Sequence, residues 1–322
     1  MSLRVAKSQQ GHWAGPSFIA RPGRFSFEQG GALCIAAAII GLGTATAALS
    51  GVWVTSLACA LLLVVGLPHG ALDVAALRRT KPATQLVAVG AYLAAAAAMS
   101  AVWMVSPLTG LAVFYAVAIA HFADDWDKAD QPFFGYAVAA ALLSVPTLLH
   151  ANDLRALFVT LTNDPRATLL VDFLILAAPV AIAVALVGLA TVSGRRRSAE
   201  WICALVAMLA LPPVLGFAVF FCLFHSPRHF REGWAALGPR VKPGTAVRIA
   251  ATTLTGFGIA AVIYAANSRR GAPAGLFEAS MMTLSVLTVP HMLLATILRA
   301  TSNDDVSGAA QRLVATAKRR GE

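Results

Sequence analysis

Residues 82–123 read PATQLVAVGAYLAAAAAMSAVWMVSPLTGLAVFYAVAIAHFA, and this stretch contains no Asp, Glu, Lys or Arg. About 20 apolar residues cross the hydrocarbon core of a bilayer as an α-helix. The 42 residues of this stretch are therefore too many for one span and enough for two. Because Ser106-Pro107 divides the stretch at a natural turn, we predict two consecutive transmembrane helices here.

The same pattern extends along the chain of 322 residues, which is 58% hydrophobic and 12% charged, with a mean hydropathy of +0.72. Soluble domains carry about 25% charged residues, so this composition argues against a soluble globular protein. The other uncharged runs of 20 residues or more are 29–72, 131–152, 173–194, 201–227, 249–268 and 279–298. These runs are rich in Ala and Leu and lack the strict alternation of β-strands. We therefore predict an all-α, polytopic transmembrane helical bundle of about eight to ten spans.

Turn residues and charges divide these runs into individual spans. We predict the spans at 31–49, 52–77, 84–105, 108–126, 133–150, 168–192, 200–211, 214–237, 245–267 and 276–300. The segment 200–211 is short, and Pro212-Pro213 separates it from the next span. It could therefore be a half-helix or a re-entrant segment.

The charged residues predict the regions of the chain and their sides of the membrane. Residues 1–28 form a basic N-terminal tail, 29–301 a transmembrane catalytic bundle, and 302–322 a polar C-terminal tail. Because loops rich in Lys and Arg stay in the cytoplasm, we expect both tails to be cytoplasmic. Arg269-Arg270 is the exception, since the span count places this pair outside.

The net charge of +10 reflects these basic loops, so we expect no nucleic-acid partner. The four cysteines lie inside apolar runs at spacings that match no zinc motif. Cysteine in such a position is usually a small apolar side chain, and we predict no disulfide bond.

Five of the seven histidines lie inside predicted spans: His69, His121, His225, His229 and His291. Ionisable residues in a membrane are energetically costly, and they usually indicate function. Counted from the start of their spans, these histidines lie 17, 13, 11, 15 and 15 residues deep. At about 1.5 Å per residue, the five depths agree within roughly 10 Å. Four helices thus bring histidines to one level, which predicts a metal site with imidazole ligands. Such ligands suit iron, zinc or copper.

Residues four apart on a helix share a face, and three such pairs involve these histidines. The pairs are His69 with Asp73, His121 with Asp125, and His225 with His229. The His–His pair can offer two imidazoles to one metal ion. In a His–Asp pair the carboxylate can orient the imidazole, as it commonly does for metal-bound histidines. The simpler interpretation of any single histidine here is a hydrogen bond between helices.

Two further features surround the histidines. Arg228 lies between His225 and His229 and needs a counter-ion, for which Asp73, Asp124 and Asp125 are candidates. Aromatic residues near the histidines are candidates for the wall of a substrate tunnel: Phe122, Trp126, Phe220, Phe221 and Phe224. Aromatic side chains in spans also commonly pack against helices or lipid, and that interpretation stays open for each of them.

Four motifs appear in order along the chain. They are Pro-His-Gly-x-x-Asp at 68–73, His-Phe-x-x-Asp at 121–125, His-x-x-x-His at 225–229 and Pro-His at 290–291. In these motifs the sequence resembles the Brp/Blh-type bacterial and archaeal β-carotene 15,15′-dioxygenases, over about residues 50–300. Ala123 departs from the pattern, since the family often has Gly after the Phe of the second motif. The added methyl group would narrow the pocket or alter a contact between helices, and either change bears on the substrate.

The resemblance implies a multi-pass enzyme of the inner membrane that contains non-haem Fe(II). It would cleave the central double bond of β-carotene with O₂ and release two molecules of all-trans-retinal. The resemblance also implies that four histidines hold the iron: His69, His121, His225 and His229. His291 would be a further ligand or a neighbour, and Asp73 and Asp125 would orient the ligands.

Two other classes of protein remain as alternatives. A membrane desaturase or hydroxylase that acts on a lipid also uses histidines and iron, typically in His-x-x-His-His clusters. The chain has no adjacent pair of histidines. A metal- or haem-binding transporter is the non-enzymatic alternative, although haem needs only two axial histidines. A functional link to a rhodopsin that uses the retinal, and the oligomeric state, stay open.

Overall fold

The computed structural model describes residues 51–77, 80–126, 132–192, 195–238, 241–267, 271, 273–294 and 296–297. All regular structure in these residues is helical. The predicted span 31–49 and both predicted tails lie outside the described residues.

The described part of the chain forms eleven α-helices, of which six begin at a proline. Proline suits the first turn of a helix, because its missing N–H group has no partner there in any case. The helices are α1 (Gly51–Ala76), α2 (Pro82–Val105), α3 (Pro107–Ala123), α4 (Pro132–Ser144), α5 (Thr147–Thr162), α6 (Thr168–Val192), α7 (Arg195–Ala210), α8 (Pro213–Phe220), α9 (Ser226–Leu237), α10 (Pro243–Ala266) and α11 (Pro273–Leu294). A 3₁₀ turn, Pro165–Ala167, precedes α6, and a π-helical turn, Phe221–His225, joins α8 to α9.

The predicted all-α polytopic bundle is confirmed. Within the described residues, five helices are long and apolar enough to cross a membrane, and a sixth span results if α4 and α5 are taken together. Their outer faces are apolar: Leu86 and Leu176 are each 76% exposed, as expected for side chains that contact lipid. By length and hydropathy the described helices give five or six spans, which is fewer than the predicted eight to ten. Helices such as α3 are short for a bilayer, and the first predicted span lies outside the described residues.

The predicted single span 133–150 is wrong in detail. The helix stops at Ser144, and α5 continues from Thr147 at an angle of 69° to α4. Pro146 lies at this bend, where it cannot donate a backbone hydrogen bond to the preceding turn. The chain therefore turns inside the bundle where the uncharged run predicted a straight helix.

Helix α1 packs against α10, α9, α8 and the π-helical turn, and Gly66 of α1 lies against Phe221 of that turn. A Cβ atom on Gly66 would lie 2.6 Å from the Phe221 ring, so only glycine permits this approach without a shift. One turn later, a Cβ atom on Gly70 would lie 3.8 Å from Nδ1 of His291. The stretch of α1 that carries His69 therefore runs beside both the π-helical turn and α11.

Candidate metal centre

Three segments of the bundle bring histidines together. His121 is near the end of α3, His225 ends the π-helical turn, His229 is in the first turns of α9, and His291 is near the end of α11. The ring centroid of His121 lies 4.8 Å from that of His225, 5.1 Å from that of His291 and 5.9 Å from that of His229. Four of the five predicted histidines are thus neighbours. The side chains of His69 and Asp73 lie outside the described part of the structure.

The π-helical turn has a local cause in the sequence. Pro227 has no N–H group to donate to the carbonyl of Leu223, and its ring crowds that carbonyl. The helix therefore widens by one residue before Pro227. The N–H of Ser226 donates to the carbonyl of Phe221, five residues back. Such π-turns are common at functional sites. Here the turn ends at His225, whose side chain is completely buried.

Asp125 links the two histidines of the α8–α9 segment. Its Oδ2 lies 2.7 Å from Nδ1 of His225, and its Oδ1 lies 2.7 Å from Nε2 of His229. The Asp125 residue is only 6% exposed, and its contact with His225 is buried, whereas its contact with His229 is partly buried. Hydrogen bonds of this length between an imidazole and a carboxylate are typical of charge-assisted pairs. Asp125 therefore holds both rings in fixed orientations.

The helical pairing predicted for His121 and Asp125 is wrong. Helix α3 ends at Ala123, and Asp125 lies in the turn that follows. In this turn the N–H groups of Asp125 and Trp126 donate to the carbonyls of Phe122 and Ala123. The tightened turn directs the carboxylate of Asp125 to the α8–α9 segment, a hundred residues further along the chain.

The contact between His121 and His225 is a hydrogen bond between helices, and its length is also compatible with two ligands of one metal ion. Their Nε2 atoms lie 3.1 Å apart. Two nitrogens that bind one ion at about 2.0–2.1 Å, at angles of about 90–109°, are separated by roughly 2.9–3.4 Å. Asp125 accepts a hydrogen bond at Nδ1 of His225, which leaves the lone pair of the other ring nitrogen directed toward His121. A metal-bound histidine with a carboxylate partner has this arrangement.

A second arrangement is available on the other side of the His225 ring. Asp125, His225 and His229 each offer one ligand atom, and these atoms lie within 4.8 Å of one another. In this arrangement Asp125 would bind the metal directly. The described residues thus include a buried His/Asp group able to hold a metal ion, and both arrangements share His225.

Arg228 connects the turn that carries Asp125 to helix α7. Its Nη2 donates to Oε2 of Glu200 at 2.8 Å, and its Nη1 donates to the backbone carbonyl of Asp125 at 2.7 Å. Its guanidinium also lies 5.3 Å from the centre of the Trp126 ring, a cation–π distance. Among the predicted counter-ions, the Asp125 carboxylate is 3.9 Å away. The closer partner, Glu200, was missed, although a charge at the edge of the uncharged run 201–227 was a signal for it.

Aromatic rings surround the buried histidines. Phe122 and Phe221 lie with their ring centroids 4.9 and 5.1 Å from that of His225. Phe220 contacts Phe122, with ring centroids 5.1 Å apart. Of the other predicted tunnel residues, Trp126 packs against Arg228, and Phe224 is half-buried against the core.

A small apolar cavity lies among α3, α5, α8 and α11. None of the five aromatic residues predicted for the tunnel lines it. Phe217, which sequence reasoning missed, lines the cavity and contacts both Phe122 and Phe221, at 6.1 and 5.7 Å between ring centroids. Its position four residues before Phe221 and eight before His225 was the available signal, because these positions share a helix face.

The fold and this group define a polytopic membrane protein with a buried histidine–carboxylate site inside an aromatic shell. Residues 60–299 match the family model described as Beta-carotene 15,15′-dioxygenase. The chain belongs to this family, and the resemblance inferred from the four motifs is confirmed.

Two curated proteins are similar to the chain. The β-carotene 15,15′-dioxygenase of the uncultured marine bacterium 66A03 is 32% identical over 256 residues, which cover 73% of this chain and 91% of that protein. The probable β-carotene 15,15′-dioxygenase Blh of Halobacterium salinarum (strain ATCC 700922 / JCM 11081 / NRC-1) is 28% identical over 298 residues, which cover 73% and 81%. No solved structure matches the chain.

Proposed function

We propose that this protein cleaves β-carotene at its central 15,15′ double bond with O₂ and releases two molecules of all-trans-retinal. Both atoms of O₂ enter the products, one in each aldehyde. The observation that carries the proposal is the buried cluster of His121, His225, Asp125 and His229 in a chain of the β-carotene dioxygenase family. The desaturase and transporter alternatives lack such support.

The proposed cofactor is non-haem Fe(II). Its proposed ligands are His69, His121, His225 and His229, with His291 as a further ligand or neighbour. The neutral imidazole donors suit iron, and the 3.1 Å separation of the two Nε2 atoms fits ligands of one ion. Fe(II) held by these residues would activate O₂ for reaction with a closed-shell alkene.

The chain's own residues position this chemistry. Asp125 accepts hydrogen bonds from His225 and His229 and so fixes their ring directions and tautomers. Asp73 would act in the same way on His69. Arg228 holds the turn that carries Asp125 and is itself held by Glu200. The rings of Phe122 and Phe221 exclude water and present flat apolar faces to a conjugated polyene.

The proposed setting is the inner membrane, with several passes and both tails in the cytoplasm. A C40 hydrocarbon dissolves in the bilayer and can reach a site buried among the helices without crossing water. The five long apolar helices support this setting. A rhodopsin would be one consumer of the retinal.

The function can be tested by expression in a bacterial strain that accumulates β-carotene, followed by extraction and chromatography of the pigments. We expect the β-carotene to disappear and retinal to form. We expect no apocarotenals, which would come from off-centre cleavage. A strain with the empty vector is the control. Intact β-carotene in the presence of iron-loaded protein in the membrane would contradict the proposed substrate, and other carotenoids would then be tested in the same strain background.

A further inference from the structure

The residues of the histidine cluster differ in their exposure. The side chains of His225 and Asp125 are 0% and 1% exposed, and His121 is also buried. The side chain of His229 is 23% exposed, and His291 is partly exposed as well. Within the described part of the chain, a hydrated ion can therefore reach the cluster at His229 or at His291.

The surroundings of these two histidines differ in polarity. Helix α11 around His291 is apolar, and the exposed neighbour there is Leu293. Helix α9 around His229 is not among the apolar helices of the described chain, and Arg231 and Glu232 are exposed on it. Because a divalent cation is costly to move through apolar surroundings, the polar approach to the cluster is at His229.

Glu232 lies at this approach. Its Oε2 is 3.9 Å from Nδ1 of His229, and its side chain is 64% exposed. The separation is too long for a hydrogen bond. Two ligand atoms that bind one ion at about 2.0–2.2 Å can, however, lie up to about 4 Å apart. Glu232 and His229 can therefore hold a cation between them while the carboxylate still contacts water.

The other nitrogen of the His229 ring leads inward. Nε2 of His229 lies 2.7 Å from Oδ1 of Asp125, and Oδ2 of Asp125 lies 2.7 Å from Nδ1 of His225. On the far side of its ring, Nε2 of His225 lies 3.1 Å from Nε2 of His121. Ligand atoms thus follow one another from the exposed carboxylate of Glu232 to the buried pair of imidazoles.

The charge along this series favours a cation. Glu232, Asp125 and Glu200 supply three carboxylates, whereas Arg228 and Arg231 supply two guanidinium groups. Arg228 is paired with Glu200 at 2.8 Å, so its charge is largely neutralised. An excess of negative charge raises the local concentration of cations and the rate at which they associate.

We propose that Glu232 and His229 capture the metal ion at the surface and deliver it to the buried histidines. The proposal rests on the iron cofactor of the proposed function. Glu232 contacts the ion only during entry, because the ring of His229 and the carboxylate of Asp125 separate it from His225 and His121. Glu232 therefore sets the rates of metal entry and exit and leaves the affinity of the buried site unchanged.

The test measures these two rates. Metal-free protein is mixed with Fe(II) without oxygen, and the iron bound to the protein is measured after set times and rapid desalting. Release is measured by mixing the iron-loaded protein with an excess of chelator. The test variant is Glu232→Gln, which removes the charge and keeps the size of the side chain.

The matched control is Asp153→Asn. His150 and Asp153 form a similar pair three residues apart, with 3.4 Å between Nδ1 and Oδ2 and a carboxylate side chain that is 66% exposed. This pair lies on α5, which contributes no residue to the histidine cluster. The control therefore removes an equally exposed carboxylate beside a histidine at another place on the protein.

We expect Glu232→Gln to take up Fe(II) at least about fivefold more slowly than the wild type. Release should slow by the same factor, because a group that acts only along the path changes the barrier in both directions equally. The Kd for Fe(II) should therefore stay the same. Asp153→Asn should match the wild type in both rates, and Glu232→Asp, which keeps the charge, should recover most of the uptake rate.

Uptake at the wild-type rate in Glu232→Gln would overturn the capture site. Faster release with a weaker affinity would also overturn it, since Glu232 would then stabilise the final site. A wild-type protein that binds no Fe(II) would refute the iron cofactor and the capture site together. Uptake of iron that depends on Glu232, in a protein that does not cleave β-carotene, would instead refute the proposed function and leave the capture site supported.

Discussion

Two of the helical segments that contain a proline accommodate it differently. In α6, Pro179 lies within a helix that continues from Thr168 to Val192 without a π-turn. In the α8–α9 segment, Pro227 follows the π-helical turn that ends at His225. A proline thus does not by itself create a π-turn.

The surroundings of the two prolines explain the difference. The α8–α9 segment is fixed from two sides, by α1 at Gly66 and by the carboxylate of Asp125. These contacts fix the π-helical turn and with it the side chains of Phe221 and His225. On α6, side chains near Pro179 such as Leu176 and Val180 are largely exposed and apolar. Helix α6 thus presents apolar side chains to its surroundings at Pro179, and its one ionisable side chain, Asp172, lies near its start.

The largest expected effect comes from removal of the histidine at the end of the π-helical turn. His225→Ala should abolish iron retention and cleavage, because His225 belongs to both candidate metal arrangements. Metal analysis of the purified protein and retinal formation measure the effect. The amount of protein in the membrane should stay at the wild-type level, since insertion depends on the apolar spans. Full activity in this variant would refute the ligand assignment.

The next effect concerns the carboxylate that orients the histidines. Asp125→Asn keeps the size of the side chain but removes its charge, and loss of such a ligand partner typically reduces metal affinity about 10–100-fold. Titration of the metal-free protein with Fe(II) under anaerobic conditions measures the affinity. Asp124→Asn is the matched control, because Asp124 is the exposed neighbour of Asp125 in the same turn. Equal affinities in the two variants would refute the orienting role of Asp125.

The difference between the two prolines can be tested directly by substitution. Pro227→Ala restores the missing N–H group and allows the helix to become regular, which would rotate His225 away from Asp125. We expect cleavage to fall about tenfold, since a misplacement of about 1 Å at an active site can reduce the rate up to about a hundredfold. Pro179→Ala should leave cleavage unchanged.

The readout for both proline variants is retinal formation at equal amounts of membrane-inserted protein. A similar loss in Pro179→Ala would show that proline acts through the stability of the bundle in both segments. Wild-type cleavage by Pro227→Ala would show that Gly66 and Asp125 hold the turn without the proline.

The smallest expected effect comes from removing one partner of an ion pair, and two ion pairs are compared. Arg228–Glu200 lies beside the metal group, whereas Arg155–Asp172 joins α5 to α6 away from it, and its side chains are 34% and 51% exposed. Glu200→Gln should lower cleavage about threefold, because Arg228 then holds the turn of Asp125 less firmly. Asp172→Asn should have little effect, since exposed ion pairs contribute at most about 1 kcal/mol. A lower iron affinity in Glu200→Gln with an unchanged KM for β-carotene would identify a positioning role.

The sequence predicted the membrane bundle and the convergence of the histidines well, because both depend on local patterns. Uncharged runs identify spans, since a bilayer has a fixed thickness. The equal depth of His121, His225 and His291 follows from counting residues along rigid helices. The same counting predicted one span at 133–150 where Pro146 bends the chain, because hydropathy carries no information on direction.

The amino-acid sequence by itself determined the class of protein, its helical, membrane-spanning character and the residue types available for a metal. Only the tertiary structure decided which of them meet. Asp125 bonds to His225 and His229, about a hundred residues away, and Arg228 pairs with Glu200 across two helices. The apolar cavity likewise exists only between packed helices. The physical reason is that helix periodicity fixes the face on which a side chain lies, whereas packing between helices decides what that face contacts.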